Sequence, residues 1–253
     1  MIKARQYWNR SRRCQPAPLS RVYGLCDRLA ARVFPPRCLV CLDPGQQPAL
    51  DLCRGCEEEL ARDVPSCTGC ARPLPQPDTF LCGDCLQRPR AFDAAFAAYR
   101  YEFPVDWMVR RMKFGSEIAA ARVLGTLLGR VAASAHAVHV EALLPVPLHR
   151  RREASRGFNQ AIEIARFAGR ELDLPVIHDA CWRSRATAEQ TGLDARERRH
   201  NLRGAFELVR PVGVRRVAIV DDVLTTGSTA EELARVLKAD GLEWVEAWAV
   251  ARA

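Results

Sequence analysis

The sequence predicts an α/β protein in which a parallel sheet flanked by helices follows a small cysteine-rich module. From residue 91 onward, apolar runs typical of strands alternate with stretches of helical periodicity, which is the pattern of a parallel sheet with helices on its faces. Residues 37–90 instead carry four Cys-x-x-Cys pairs and few long apolar stretches. A chain of 253 residues is long enough for one complete α/β domain and such a module.

The apolar pattern defines each element of the larger domain, 91–253, in order. Short apolar runs predict strands, and apolar residues three or four positions apart predict helices. The predicted elements are a strand at Phe92–Tyr101, two helices within 105–135, a strand at Ala142–Val146, a helix at Asn159–Leu172, a strand at Val217–Val220, a helix at Ser228–Ala239 and a closing strand at Trp244–Val250.

Residues 1–36 form a basic leader with one short amphipathic helix. We expect residues 1–18 to be disordered, and apolar residues at helical spacing predict a helix from Leu19 to Val33, before Pro35-Pro36. Residues 1–37 hold nine basic residues and one acidic residue, which accounts for the whole formal charge of +8. A basic leader can contact nucleic acid or acidic lipid, and a solvated basic tail is the alternative.

The cysteine pairs predict two structural zinc sites. No apolar run reaches the ~18 residues that a membrane span needs, and no signal-peptide core is present. We therefore expect a cytoplasmic protein without a membrane span. In that compartment cysteines bind metal rather than form disulfides. Two Cys-x-x-Cys knuckles complete one Cys₄ site. Sequential pairing closes shorter loops than crossed pairing and is favoured; disulfides, free thiols and an iron–sulfur cluster are the alternatives. The ligands are Cys38, Cys41, Cys53, Cys56, Cys67, Cys70, Cys82 and Cys85.

The segment 217–229, V-A-I-V-D-D-V-L-T-T-G-S-T, predicts an anion site. A buried strand ends at two carboxylates, Asp221 and Asp222, and the chain turns through Thr225, Thr226 and Gly227 into a helix that begins near Ser228. Free N–H groups at a helix N-terminus, with hydroxyls around them, suit a phosphate. The alternative is an ordinary helix cap at Ser228 or Thr229.

This segment closely resembles the 5-phosphoribosyl-1-pyrophosphate (PRPP) signature of type I phosphoribosyltransferases. The resemblance implies the corresponding fold, with PRPP as ligand and Mg²⁺ as its companion ion. It also implies that Asp221 and Asp222 hold the ribose hydroxyls as the catalytic pair. Thr225, Thr226, Gly227, Ser228 and Thr229 would surround the 5-phosphate.

Two further segments fit the same ligand. A strand end at Pro145-Val-Pro147 is followed by Arg150, Arg151, Arg152 and Arg156, whose guanidinium groups suit a pyrophosphate; a solvated basic loop is the alternative. Residues 183–202 are long, charged and aperiodic, which suits a mobile lid. Residues 35–253 resemble the ComF family of competence-associated, phosphoribosyltransferase-like proteins. The resemblance is carried by the cysteine module, by Met112-Lys113-Phe114 and Arg156-Gly-Phe-Asn-Gln160, and by the lid residues Thr187, Gln190 and Arg198.

The resemblance implies a role in DNA uptake or in the reuse of imported DNA. One hypothesis is a Mg²⁺-dependent transferase in which Arg151, Arg152 and Arg156 stabilise the departing pyrophosphate, with a nitrogen acceptor that the sequence does not identify. The other hypothesis is a PRPP-sensing partner of the competence machinery that binds single-stranded DNA without turnover. A lid favours the first, because a transferase must exclude water; the basic leader and zinc knuckles favour the second.

Overall fold

A computed structural model describes residues 35–62, 65–76, 78–115, 117–135, 139–185 and 202–253. The predicted helix at Leu19–Val33 lies outside these residues. The chain divides into two compact units, one ending at Arg54 and the other beginning at Gly55. The limits proposed for the three regions, 1–36, 37–90 and 91–253, stay a prediction.

The cysteine-rich segment repeats one local structure. Every cysteine of the first group of four is followed 29 residues later by a cysteine of the second group. In each copy the N–H of the first cysteine donates to the carbonyl five residues ahead, from Cys38 to Asp43 at 2.7 Å and from Cys67 to Arg72 at 2.8 Å. The last cysteine of each copy lies on a short helix; these are α1 (Arg54–Glu58) and α2 (Gly83–Gln87).

A four-stranded parallel sheet follows, as the sequence predicts. Its strand order is β1-β6-β5-β2, and an antiparallel pair, β3 and β4, forms a separate small sheet. In chain order the elements are β1 (Ala94–Arg100), α3 (Val105–Phe114), α4 (Ile118–Ala135), β2 (Ala142–Pro145), α5 (Arg150–Arg156), α6 (Gln160–Leu172), β3 (Cys181–Arg183), β4 (Phe206–Leu208), β5 (Arg216–Leu224), α7 (Ser228–Ala239) and β6 (Trp244–Arg252).

Helices cover both faces of this sheet. Consecutive strand residues point to opposite faces, and both sets are buried in β2 and β5. Leu233 of α7 packs in one core cluster with Ile219 of β5. On the other face α6 lies against Leu143 of β2, and α4 packs along α6. Burial of apolar area on both faces explains why the strands appear in the sequence as continuous apolar runs.

Three local differences from the sequence prediction concern the site. Strand β5 continues four residues past Val220, because β6 also extends beyond Val250 and keeps pairing with it up to Leu224↔Arg252. The arginine-rich segment after β2, for which no helix was predicted, forms helix α5. The β3–β4 pair was not predicted, because each strand has only three residues and gives no periodic signal. None of the helices in the described part of the chain has the length and apolar character needed to cross a membrane.

Candidate active site

The phosphate-binding candidate is the turn between β5 and α7. Gly227 occupies the N-cap position with φ at +76°. This is a left-handed backbone conformation that residues with a side chain rarely adopt. The hydroxyl oxygens of Thr226 and Ser228 lie 2.7 Å apart, and the Ser228 N–H donates to the Thr226 hydroxyl at 3.3 Å. This turn therefore presents hydroxyls and the N-terminus of a twelve-residue helix to one cavity, the arrangement that favours a phosphate.

The carboxylate pair stands on the last part of β5 and faces the same cavity. Pairing with β2 ends at Pro145↔Val220, so Asp221 and Asp222 follow the point where the neighbouring strand stops. Asp222 is 9% exposed, and its carboxylate pairs with the ammonium group of Lys113 at 2.6 Å.

Burial and a shared site shift the pKa values of these groups. Burial and, to a smaller extent, the negative charge of Asp222 raise the pKa of Asp221 to about 7. The Lys113 ammonium group acts in the opposite direction and lowers this pKa. Burial alone would lower the pKa of Lys113, but the charge and hydrogen bond of Asp222 raise it on balance. Asp221 consequently stays largely protonated below about pH 7.

This raised pKa gives a prediction for the Asp221→Asn variant. Between pH 3.8, the ordinary pKa of an aspartate, and about pH 7, folded Asp221 keeps a proton that the unfolded chain has lost. Its contribution to stability therefore falls as pH rises through this range. The thermal midpoint of the variant should gain on that of the native chain by several degrees from pH 4 to pH 7, since each pKa unit corresponds to about 1.4 kcal/mol and about 1 kcal/mol moves the midpoint by ~2–4 °C.

Thermal melts at several pH values check this, with Asp179→Asn as the control. A hydrogen bond from Arg210 lowers the pKa of Asp179, so its variant should show no such gain. A gain for Asp221→Asn that is constant from pH 4 to pH 8 would contradict the assigned protonation.

The basic wall of the cavity comes from α5. Arg152 and Arg156 line the same cavity of about 290 Å³ as the carboxylates and the turn 225–229. Arg156 donates to the side-chain oxygen of Gln160 at 3.3 Å and lies 6.0 Å from the ring centre of Phe114. Arg151 belongs to the same helix, but its side chain lies outside the described part of the chain, as do the lid residues Thr187, Gln190 and Arg198.

Three further residues that line this cavity were not predicted to bind the ligand: Lys113, Gln160 and Arg183. Arg183 was predicted to begin the lid, 183–202, but it is the last residue of β3. Arg183, at the end of β3, is 6% exposed. Its burial and, to a smaller extent, the positive charge of Arg152 lower its pKa to about 10. Gln160 is 3% exposed, and its amide nitrogen has no hydrogen-bond partner among the described residues. Lys113 and Gln160 did appear in the motifs quoted for the ComF resemblance, but motif membership alone does not say where a side chain points.

The eight cysteines form two groups in sequential order, as favoured from the sequence. In each group the four sulfur atoms lie within 4.8 Å of one another. Cys41 and Cys53 are 3.5 Å apart at sulfur, and Cys70 and Cys82 are 3.7 Å apart. Four thiolates about 2.3 Å from one tetrahedral zinc ion require such separations. Both groups therefore fit structural Cys₄ zinc sites.

Residues 29–86 match the family described as the double zinc ribbon domain. The solved structures found are only weakly similar: glutamine PRPP amidotransferase from B. subtilis has a TM-score of 0.36 and 21% identity over 51% of this chain and 26% of its own. Adenine phosphoribosyltransferase from Leishmania tarentolae has a TM-score of 0.33 and 16% identity over 54% of this chain and 58% of its own.

Sequence relatives cover most of the chain. Competence protein F of Haemophilus influenzae is 35% identical over 86% of this chain and 97% of its own length. The DNA utilization protein YhgH of Escherichia coli O157:H7 is 35% identical over the same shares. Competence protein ComFC of Bacillus subtilis is 25% identical over 86% of this chain and 88% of its own. With its double zinc ribbon and its parallel α/β domain, the chain belongs to the ComF family.

Proposed function

We propose that this protein binds PRPP with Mg²⁺ and transfers the phosphoribosyl group to a nitrogen acceptor, in the uptake or reuse of DNA. The observation that supports this most directly is one cavity of about 290 Å³ with three chemically different walls. Hydroxyls and helix N–H groups suit a 5-phosphate, paired carboxylates suit vicinal hydroxyls, and guanidinium groups suit a pyrophosphate. PRPP carries these three groups on one ribose.

Each wall has a defined task in this reaction. The turn 225–229 binds the 5-phosphate, and Asp221 and Asp222 accept hydrogen bonds from the ribose hydroxyls, which fixes C1 relative to the basic wall. The bond from C1 to pyrophosphate oxygen then breaks, and its electron pair leaves with the pyrophosphate. Arg151, Arg152 and Arg156 stabilise that charge, and the lone pair of the acceptor nitrogen forms the new bond to C1.

The residues of the site also suit the ion. Carboxylate oxygens are ligands that Mg²⁺ accepts, commonly alongside substrate oxygens. When bound, Mg²⁺ neutralises the charge that develops on the leaving pyrophosphate. The Lys113 ammonium group, 2.6 Å from Asp222, balances one of the two carboxylate charges before ligand arrives. The residues 187, 190 and 198 of the lid would exclude water from C1.

Pyrophosphate release tests the transfer directly. The native chain is incubated with PRPP, Mg²⁺ and a panel of free bases, nucleosides and nucleotides, and pyrophosphate is followed with time. Release that depends on one member of the panel identifies the acceptor class. Tight PRPP binding without acceptor-dependent release would instead favour the non-catalytic, PRPP-sensing function.

That second function has support of its own in the charge distribution. The whole formal excess of +8 lies in residues 1–37, and relatives carry the names competence protein and DNA utilization protein. A basic leader of this kind attracts single-stranded DNA or a partner in the competence machinery. Zinc thiolates favour a reducing compartment, in keeping with a cytoplasmic location.

Removing the leader should separate the two activities. A chain that starts at residue 36 should keep PRPP binding and lose most of its affinity for single-stranded DNA, because the remaining residues are close to neutral. Fluorescence anisotropy at several salt concentrations measures this. In the native chain log K should fall by roughly 0.7 per phosphate contact for each log unit of salt. An unchanged salt slope after truncation would exclude the leader as the DNA-binding surface.

A further inference from the structure

The second cysteine group is continuous with the core of the α/β domain. The N–H of Ala95 in β1 donates at 2.7 Å to the carbonyl of Thr68, which lies between Cys67 and Cys70. Ala71, the residue after Cys70, is 1% exposed and packs in the core cluster that also contains Phe92. The knuckle formed by Cys67 and Cys70 is therefore part of the packing that supports the sheet.

Arg252, at the end of β6, joins this knuckle to the phosphate-binding turn. Its Nε donates to the carbonyl of Cys70 at 3.2 Å, and its Nη1 donates to the carbonyl of Leu224 at 2.8 Å. Leu224 is the last residue of β5 and directly precedes Thr225. A single planar guanidinium group thus fixes the distance between a metal-ligating residue and the start of the turn.

Arg90 makes a second connection, through the chain that follows the cysteine group. It lies shortly after α2, the helix that carries Cys85, and its Nη1 donates to the carbonyl of Thr226 at 3.4 Å. The next residue, Ala91, donates its N–H at 3.2 Å to the carboxylate of Glu231 in the first turn of α7. The turn and the first turn of α7 are therefore both held by the segment that directly follows the second cysteine group.

From these contacts we propose that Arg90 and Arg252 are positioning residues that couple metal binding at Cys67, Cys70, Cys82 and Cys85 to phosphate binding at residues 225–229. This inference rests on the proposed function, because the ligand of the turn is taken to be PRPP. With the metal bound, the carbonyls of Leu224 and Thr226 are held so that the N–H groups and hydroxyls of the turn face the cavity. Loss of the metal releases the cysteine segment and leaves the turn less well ordered, so that phosphate binding has to order it.

Coupling of this kind is reciprocal. PRPP should bind more weakly when the second site has lost its metal, and the second site should bind its metal more tightly, with correspondingly slower release, when PRPP is bound. Couplings between two sites commonly change affinity by about 5- to 150-fold. We expect a change of about 10-fold in both directions.

Arginine variants of the full chain test the connection without touching a metal ligand. Isothermal titration with PRPP and Mg²⁺ should give a Kd about 10-fold higher for Arg252→Ala and for Arg90→Ala, with zinc content unchanged. Arg252→Lys should recover little, because one ammonium group cannot reproduce two hydrogen bonds in different directions. Arg215→Ala is the matched control: Arg215 is exposed, pairs with Glu243 and lies away from the turn. Its Kd should stay within twofold of the native value.

Cys82→Ser adds the second half of the test. If the arginines are the connection, Arg252→Ala should weaken PRPP binding less in the Cys82→Ser chain than in the native chain. Should Cys82→Ser fail to fold, zinc release from the native chain to a coloured chelator replaces it: PRPP should slow one of two release phases about 10-fold and leave the other unchanged.

The outcomes separate the two proposals. A native chain that binds no PRPP overturns the proposed function and this inference with it. A native chain that binds PRPP, while the arginine variants keep the native Kd or PRPP leaves both zinc-release phases unchanged, overturns the coupling alone.

Discussion

The Asp221→Asn/Asp222→Asn double variant should bind PRPP and Mg²⁺ at least about 100-fold more weakly than the native chain. Hydrogen bonds to charged groups contribute about 1.5–3 kcal/mol each, and each ~1.4 kcal/mol is a tenfold change in affinity. In the proposed function these two carboxylates accept hydrogen bonds from the ribose hydroxyls, so their removal should abolish most of the specific binding. Isothermal titration of both chains with PRPP, with and without Mg²⁺, measures the loss.

The fold should survive this double change. Asparagine has nearly the same shape as aspartate, and its side-chain oxygen can accept the same hydrogen bonds. In the native chain Asp221 accepts from the N–H of Asp222, and Asp222 accepts from the N–H of Val223. Lys113 keeps part of its side chain exposed, so water can solvate its ammonium group once the Asp222 charge is gone. Circular dichroism and the thermal midpoint report on this.

Asp179→Asn provides the matched control for the loss of an acidic charge. Asp179 is exposed and pairs with Arg210 outside the cavity, so its variant should bind PRPP as the native chain does. Undiminished affinity in the double variant, with the fold intact, would remove the carboxylate pair from the site and with it the proposed orientation of the ribose.

Local sequence signals predicted the elements that position this site. Helix α7 begins at Ser228 and ends at Ala239, as predicted, because a glycine-containing turn precedes an apolar pattern of helical period. Strand β2 runs from Ala142 to Pro145, one residue short of the predicted end. Each of these is set by residues close together in the chain, where apolar period and turn chemistry act directly.

Contacts between distant parts of the chain could not be read in this way. The pairing of Lys113 with Asp222 depends on the tertiary structure that brings the end of α3 close to β5, and nothing within either segment specifies it. The same holds for Arg183, which enters the cavity because a three-residue strand pairs with another more than twenty residues away. A lysine or arginine in a sequence rich in arginine is an ordinary surface residue until the tertiary structure brings it to a buried carboxylate.

The end of β5 shows how a neighbouring strand overrides a local pattern. The sequence change from apolar to acidic at Asp221 indicated the end of the strand, yet pairing continues to Leu224 because β6 still offers backbone partners there. Backbone hydrogen bonds to a neighbour do not require apolar side chains, so the strand extends as far as its partner does. The two carboxylates consequently lie on a rigid strand rather than in a loop, which suits precise orientation of a sugar.

The largest stability effect should come from the second zinc site. Elemental analysis of the native chain, purified without chelators, should find about two zinc ions, and the Cys67→Ser/Cys70→Ser variant should retain one. Structural zinc contributes about 10–16 kcal/mol of apparent binding free energy in small zinc-finger peptides at neutral pH. Among the described residues of this segment, its own cluster holds four buried residues, three of them cysteine ligands, so packing cannot replace that contribution.

Limited proteolysis then distinguishes the two pairings of the cysteines. Sequential pairing, as the sulfur positions indicate, predicts new cleavage within 65–90 of this variant, while Cys38 to Cys56 remain protected. Crossed pairing would open both segments at once. Cys181→Ser, which changes a buried cysteine of β3 outside both groups, should leave two zinc ions and the native cleavage pattern. Fewer than two zinc ions in reduced, folded native protein would contradict the double site, and visible absorbance with bound iron would replace zinc by an iron–sulfur cluster.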